Sequence, residues 1–215
     1  MTNFKIVAKK IDGVIYPLSE NIYSSNVETV NTTSYEGWNI LRRGLTFMFV
    51  VACKQLDYNC EVKVMHSLNK GLYCKINKYL EKYETLYNEI KEKMLTLCEK
   101  DLPFENIRMP RKEALDILRK NKQQKDKYYL FAYKEEYKDS GIIELNKLDG
   151  IYDFYYGILP PSTGICNVFD VSAVPGKNNH FILFPESREY PNTVVPIQNL
   201  EKILNVYEER KHWAE

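Results

Sequence analysis

The sequence predicts an α+β fold, with helices packed on a largely antiparallel sheet, and three observations carry that expectation. Two long stretches place apolar residues at three- and four-residue steps, the period of a helix with one buried face. Short strand-like runs fill the second half of the chain. At 215 residues a chain buries on the order of 70% of its unfolded surface, enough for a core without disulfides or metal.

Ile6-Val7-Ala8 and Val14-Ile15-Tyr16 flank Asp12-Gly13, the signature of a β-hairpin within residues 5 to 33. Ser34 to Tyr58 reads as a helix, with Trp38, Leu41, Leu45, Phe49, Ala52 and Leu56 on one face, Ser34 as N-cap and Glu36 in the first turn. Glu61 to Met65 reads as a strand leading into His66 and a loop-like Asn69-Lys70-Gly71. Tyr79 to Lys100 is the clearest helix, its stripe formed by Leu80, Tyr83, Leu86, Tyr87, Ile90, Met94, Leu97 and Cys98. Pro110 introduces a further helix. Strands are expected at Tyr128 to Tyr133, Ile142 to Leu145, Ile151 to Tyr156, Ile165 to Val171 and Phe181 to Phe184. A last helix covers Ile197 to His212.

Charge and composition narrow the function. With 30 basic and 29 acidic residues the net charge is +1, so no global field draws the chain to nucleic acid. The local excess from Arg119 to Lys127 reads as a solvated helix end, cations being favoured at the C-terminus of the dipole; an RNA contact is the other reading. The longest apolar stretch, Leu45 to Cys53, is far short of the roughly 20 residues that span a bilayer. Five cysteines without CxxC spacing read as reduced thiols of a cytoplasmic protein. No GxxxxGK[ST] phosphate loop is present, so phosphoryl transfer is not encoded in these residues.

Several segments resemble the second, editing-type domain of threonyl-tRNA synthetases. Leu102-Pro103-Phe104, Arg111-Lys112-Glu113-Ala114-Leu115, Pro161-Ser162-Thr163-Gly164, Phe169 and the turn Ala173-Val174-Pro175-Gly176 follow that pattern, over roughly residues 34 to 185. The family carries HxxxH on one helix and a CxxxH-like run on a later strand-loop. Here His66 stands four residues before Lys70, and in Asp153-Phe154-Tyr155-Tyr156-Gly157-Ile158-Leu159 the Cys and His positions hold Tyr155 and Leu159. A tetrahedral zinc site needs three or four N, S or O ligands, so no metal is expected.

A second resemblance covers the same positions. His66-Ser67-Leu68-Asn69-Lys70-Gly71-Leu72-Tyr73-Cys74, Glu36-Gly37-Trp38 with Leu41 to Phe47, and Tyr155-Tyr156-Gly157 with Pro161-Ser162-Thr163-Gly164 are similar to the synthetase-like region of long uridine-kinase-like (nucleoside kinase) proteins. That resemblance implies a degraded tRNA-editing-type site and a kinase domain downstream, with ATP and magnesium belonging to that domain alone. Residues 1-33 then correspond to part of a TGS-like domain, 34-195 to the editing-domain-like unit, and 196-215 to a C-terminal helix linking to the kinase.

The candidate residues each have two readings. His66 with Lys70 is a general acid/base with an electrostatic partner, or a strand-end histidine in a hydrogen bond. Tyr155 and Tyr156 stack on a base or sugar, or pack the core and its rim. Ser162 and Thr163 meet a ligand phosphate, or cap a turn. Cys74 with His66 as a nucleophile pair lacks an orienting third group.

Three functions follow. The first is a non-catalytic accessory domain of a uridine-kinase-like protein, binding a nucleoside or tRNA-like ligand, regulating or assembling. The second is a stand-alone deacylase of mischarged tRNA using His66, and the third an RNA-binding module. None involves a membrane, and the oligomeric state is open.

Overall fold

A computed structural model describes residues 4–57, 59–68, 70–77, 83–120, 125–134, 137, 141–195, and residues 202, 203, 205, 206, 209 and 210. Among them lie ten strands, four α-helices and one 3-10 turn, arranged as α+β with every strand pairing antiparallel. The strands form three separate sheets rather than one.

The first sheet has the order β2-β1-β3, from Ile6–Ile11 (β1), Val14–Tyr16 (β2) and Val27–Asn31 (β3). Its expected hairpin turns at Asp12-Gly13, both at positive φ, as a two-residue turn between twisted strands requires. Tyr35–Leu56 forms the long helix α1. Ser34 caps it as expected, its Oγ accepting from the Gly37 amide at 3.0 Å.

The second sheet, β4-β5-β10-β9, is the centre of the molecule. Its strands are Glu61–Leu68 (β4), Gly71–Asn77 (β5), Phe169–Ala173 (β9) and His180–Pro185 (β10). One face receives α1 and Tyr83–Lys100 (α2), through Leu45, Met48, Ala52, Leu86, Ile90, Met94 and Leu97 against Leu72, Cys74, Ile76 and Phe181. The other face buries Leu68, Tyr73, Val174, Ile182 and Phe184, with Val194 and Ile203 packed on them. Being covered on both faces, β5 reads Gly-Leu-Tyr-Cys, with no alternation to mark it as a strand.

The third sheet, β6-β7-β8, consists of Glu105–Pro110 (β6), Ile142–Leu148 (β7) and Ile151–Asp153 (β8). Its helices are Arg111–Lys120 (α3) and Lys125–Tyr133 (α4), packed through Met109, Ala114, Leu118, Phe131, Ile143 and Leu145. Here the structure corrects the sequence. Tyr128 to Tyr133, expected as a strand, is helical, because Phe131 is drawn into this core and Arg111 donates to the carbonyls of Phe131 and Ala132. Tertiary packing overrides the strand preference of an aromatic run.

Two further expectations change. The strand from Ile151 stops at Asp153, and Ile165 to Val171 divides into a 3-10 turn, Thr163–Cys166, and β9. Of the last helix, residues 202, 203, 205, 206, 209 and 210 are helical; the rest of it, including His212, lies outside the described residues, as do Tyr58, Asn69 and residues 78–82. Among the described residues no helix is long and apolar enough to cross a membrane.

Candidate functional site

Helix α1 has two faces, and only one of them packs the core. Asn39, Arg42, Arg43, Thr46, Val50 and Lys54 fall at three- and four-residue steps and line a pocket of about 590 Å³. Across it stand β4 and β5, through Glu61, Val62, Lys63, Val64 and Leu72. The third wall is Asp126 and Lys127 of α4 and the run Asp153 to Tyr156, from the last residue of β8 onward. The second and third sheets therefore meet over one helix, and the pocket is the seam between them.

Its charges are unevenly satisfied. Asp153 is buried, accepts the Phe154 amide at 2.7 Å and is ion-paired with Lys127. Lys54 is only 5% exposed, and desolvation lowers its pKa, opposed by the nearby Cys60 and Asp153. Arg42 donates from Nη2 to Ser67 Oγ at 2.7 Å and lies 4.5 Å over the Trp38 ring. Its Nε is buried without an acceptor. Arg43 donates from Nε to the Ile158 carbonyl at 2.8 Å. Burial lowers the pKa of both guanidinium groups.

Tyr155 and Tyr156 both line the pocket but differ in exposure. The Tyr155 ring lies 5.2 Å from Phe47 and 5.1 Å below the Lys127 ammonium. Its amide donates to Asn146 Oδ1 at 2.9 Å. Burial, then Asp153, pushes its phenol pKa well up. Tyr156 is 63% exposed and meets Phe154 edge-on at 4.8 Å. Gly157 turns the chain at φ +89, where its missing Cβ faces the Arg43 guanidinium.

The other sequence candidates lie elsewhere. His66 is on β4, opposite Tyr73, with its ring 5.1 Å from that tyrosine, which in turn stacks on His180 at 5.6 Å. Lys70 pairs with Glu189 at 3.3 Å. Neither lines the pocket. Cys74 belongs to the core under α1, across the sheet from Tyr73 and so from His66. Burial pushes its thiol up to about 12, far from a thiolate at neutral pH.

Thr163 is fully buried. Its hydroxyl donates to the Leu97 carbonyl at 2.5 Å and accepts the Leu102 amide at 2.8 Å, while its amide donates to the Leu102 carbonyl. The Gly164 amide donates to Asp101 Oδ1 at 2.9 Å, and Ser162 bridges to Pro103. Pro-Ser-Thr-Gly thus clips the end of α2 to the chain beyond the pocket.

The α1 residue facing Tyr155 is Phe47, and one turn on stands Val51; with Tyr155 and Leu159 they all belong to the main core. That quartet offers a single phenol oxygen, which does not fit a tetrahedral metal site. Among the described residues no group of three or more His, Cys, Asp and Glu is placed to hold a metal ion. The polar stripe of α1 escaped the reading from sequence, although polar residues at helical steps within an apolar helix signal a second functional face.

No protein-family profile matches the chain. It is similar to threonine–tRNA ligases over most of its length. Identity is 25% over 219 residues to that of Laribacter hongkongensis, covering 94% of this chain and 32% of the ligase. It is 24% over 174 residues for Ligilactobacillus salivarius, covering 80% and 26%, and 22% over 214 residues for Clostridium acetobutylicum, covering 96% and 32%. The chain therefore spans a third or less of the length of these relatives, and its α+β architecture is compatible with a threonyl-tRNA synthetase-like domain.

Proposed function

We propose that this synthetase-like domain binds a ligand without hydrolysing it, as an accessory part of a uridine-kinase-like protein. The observation that supports the reading is that Tyr155 and Leu159, which stand where the resemblance implies Cys and His, pack with Phe47 and Val51 in the main core. General acid/base work needs a titratable side chain within hydrogen-bond reach of the reacting atoms, and these four residues offer only a phenol whose pKa burial has raised. Yet the neighbouring wall keeps a cluster of cations around an open cavity, which is the form of a binding site. In this reading the N-terminal three-stranded sheet stands for part of a TGS-like domain, ATP and magnesium serve a kinase domain of the same cytoplasmic polypeptide, and His66, across the central sheet, is structural.

The test is deacylation of mischarged tRNA by the purified chain. Hydrolysis no faster than in buffer supports the proposal, and a rate abolished by His66→Ala overturns it in favour of a deacylase. The kinase association is tested separately, by the intact mass of the native polypeptide in its own cells. A species roughly twice this size supports it, and one of this chain's mass alone overturns it.

A further inference from the structure

The pocket's chemistry narrows the class of ligand it would take, granted the binding reading above. Arg42 and Arg43 are adjacent on α1 and both line the cavity. Among the described residues neither has a carboxylate within 4.0 Å, although weaker surface pairs elsewhere do form. Each guanidinium has five N–H donors, and the hydrogen bonds seen use one on Arg42 and one on Arg43. Arg42 Nε is buried with no acceptor at all. Leaving such a donor unsatisfied is costly, and the planar fork of an arginine matches the oxygens of a phosphate.

The carboxylates nearby do not remove this demand. Asp153 is engaged by Lys127 and by the Phe154 amide. Lys54 and Lys63 add further positive charge to the cavity wall. At the rim, Tyr156 presents an exposed ring held edge-on by Phe154, which packs in turn against Phe131 of the third core. An aromatic ring so anchored, beside cations, is a stacking platform for a planar heterocycle. The cavity of about 590 Å³ lies within the range of small-molecule sites.

We propose that the seam between the second and third sheets binds a mononucleotide, its phosphate seated on Arg42 and Arg43 and its base stacked on Tyr156. The experiment is isothermal titration of the full chain with uridine and adenosine monophosphates, uridine, inorganic phosphate and an RNA hairpin ending in CCA, at low and at high salt. At least one monophosphate binds saturably, the matching nucleoside binds about tenfold more weakly, and salt weakens only the phosphorylated ligand. Arg42→Gln and Arg43→Gln each cost about tenfold toward the nucleotide and little toward the nucleoside. Tyr156→Ala, at an exposed position, costs about fivefold toward both. Circular dichroism of each variant shows that it is folded.

No saturable binding of either monophosphate, equal affinity for nucleotide and nucleoside, or affinity unchanged in both arginine variants overturns the proposal. Binding of the RNA hairpin with none of the monophosphates overturns it equally, by assigning the pocket to RNA. The deacylation result stands apart from all of these: a pocket that fails to take nucleotides leaves the non-hydrolytic reading where tRNA hydrolysis puts it.

Discussion

One helix supports two regions that differ in almost every respect. Around Phe47, α1 meets Tyr155, Leu159 and Phe104 in a closed apolar core. One turn back, at Arg42 and Arg43, the same helix lines an open cavity with five cations against three carboxylates. The first region makes up its deficit of chemistry with packing, and the second keeps charges that packing does not need. One helix thus carries a tightly packed apolar patch and, one turn away, a cavity wall with an excess of positive charge.

The comparison breaks first at Phe47. If that ring is structural, Phe47→Ala lowers unfolding free energy by about 3–5 kcal/mol in urea titration, and a loss below about 1 kcal/mol would mean the centre is not a packed core. The clip beside it ranks next. Thr163→Val strands the Leu102 amide and removes the bond to the Leu97 carbonyl, at about 1–3 kcal/mol in the same assay.

A smaller effect comes from across the central sheet. Burial sets His66 and His180 below the usual 6.5, so between 6.5 and their lower folded values the unfolded chain holds more protons. Their contribution is therefore fully present above pH 6.5 and is lost as pH falls through the folded values. Tm is expected to be lower at pH 5 than at pH 7.5 from this source, and His66→Asn with His180→Asn shrinks the difference; an unchanged slope would assign it to other groups. The smallest effect belongs to the pocket. Arg42→Gln shifts unfolding free energy by less than about 1 kcal/mol, since the variant removes a partly desolvated charge along with one bond to Ser67. A large loss there would make Arg42 a structural residue and erase the contrast.

Much of this was legible in the chain before its structure. Leu86, Ile90, Met94 and Leu97 announce α2 by period alone, and the Asp12-Gly13 turn and the Ser34 cap follow from local chemistry. What failed was non-local. Nothing local in Tyr128 to Tyr133 says that Phe131 will be taken into a core with α3 and β7, and that contact makes the segment helical. β5 hid because both its faces are buried. For the site, Tyr155 and Tyr156 do come to the pocket, but His66 and Lys70 drew notice through a short motif whose strand turns them away from it. Arg42 and Arg43 were visible as charges on an apolar helix, and only the facing wall of a second sheet gives them a shared cavity.

Strand β10 takes its place between β5 and β9, pairing His180 with Lys75 and Leu183 with Leu72 across about a hundred residues. During synthesis, then, the hairpin β4–β5 must wait with one edge unpaired until nearly the whole domain has been made. Such a late closure makes the nascent chain a client for chaperones and a hazard for edge-to-edge association. It also means that a chain emerged only as far as Tyr133 holds all four helices while its central sheet still lacks β9 and β10.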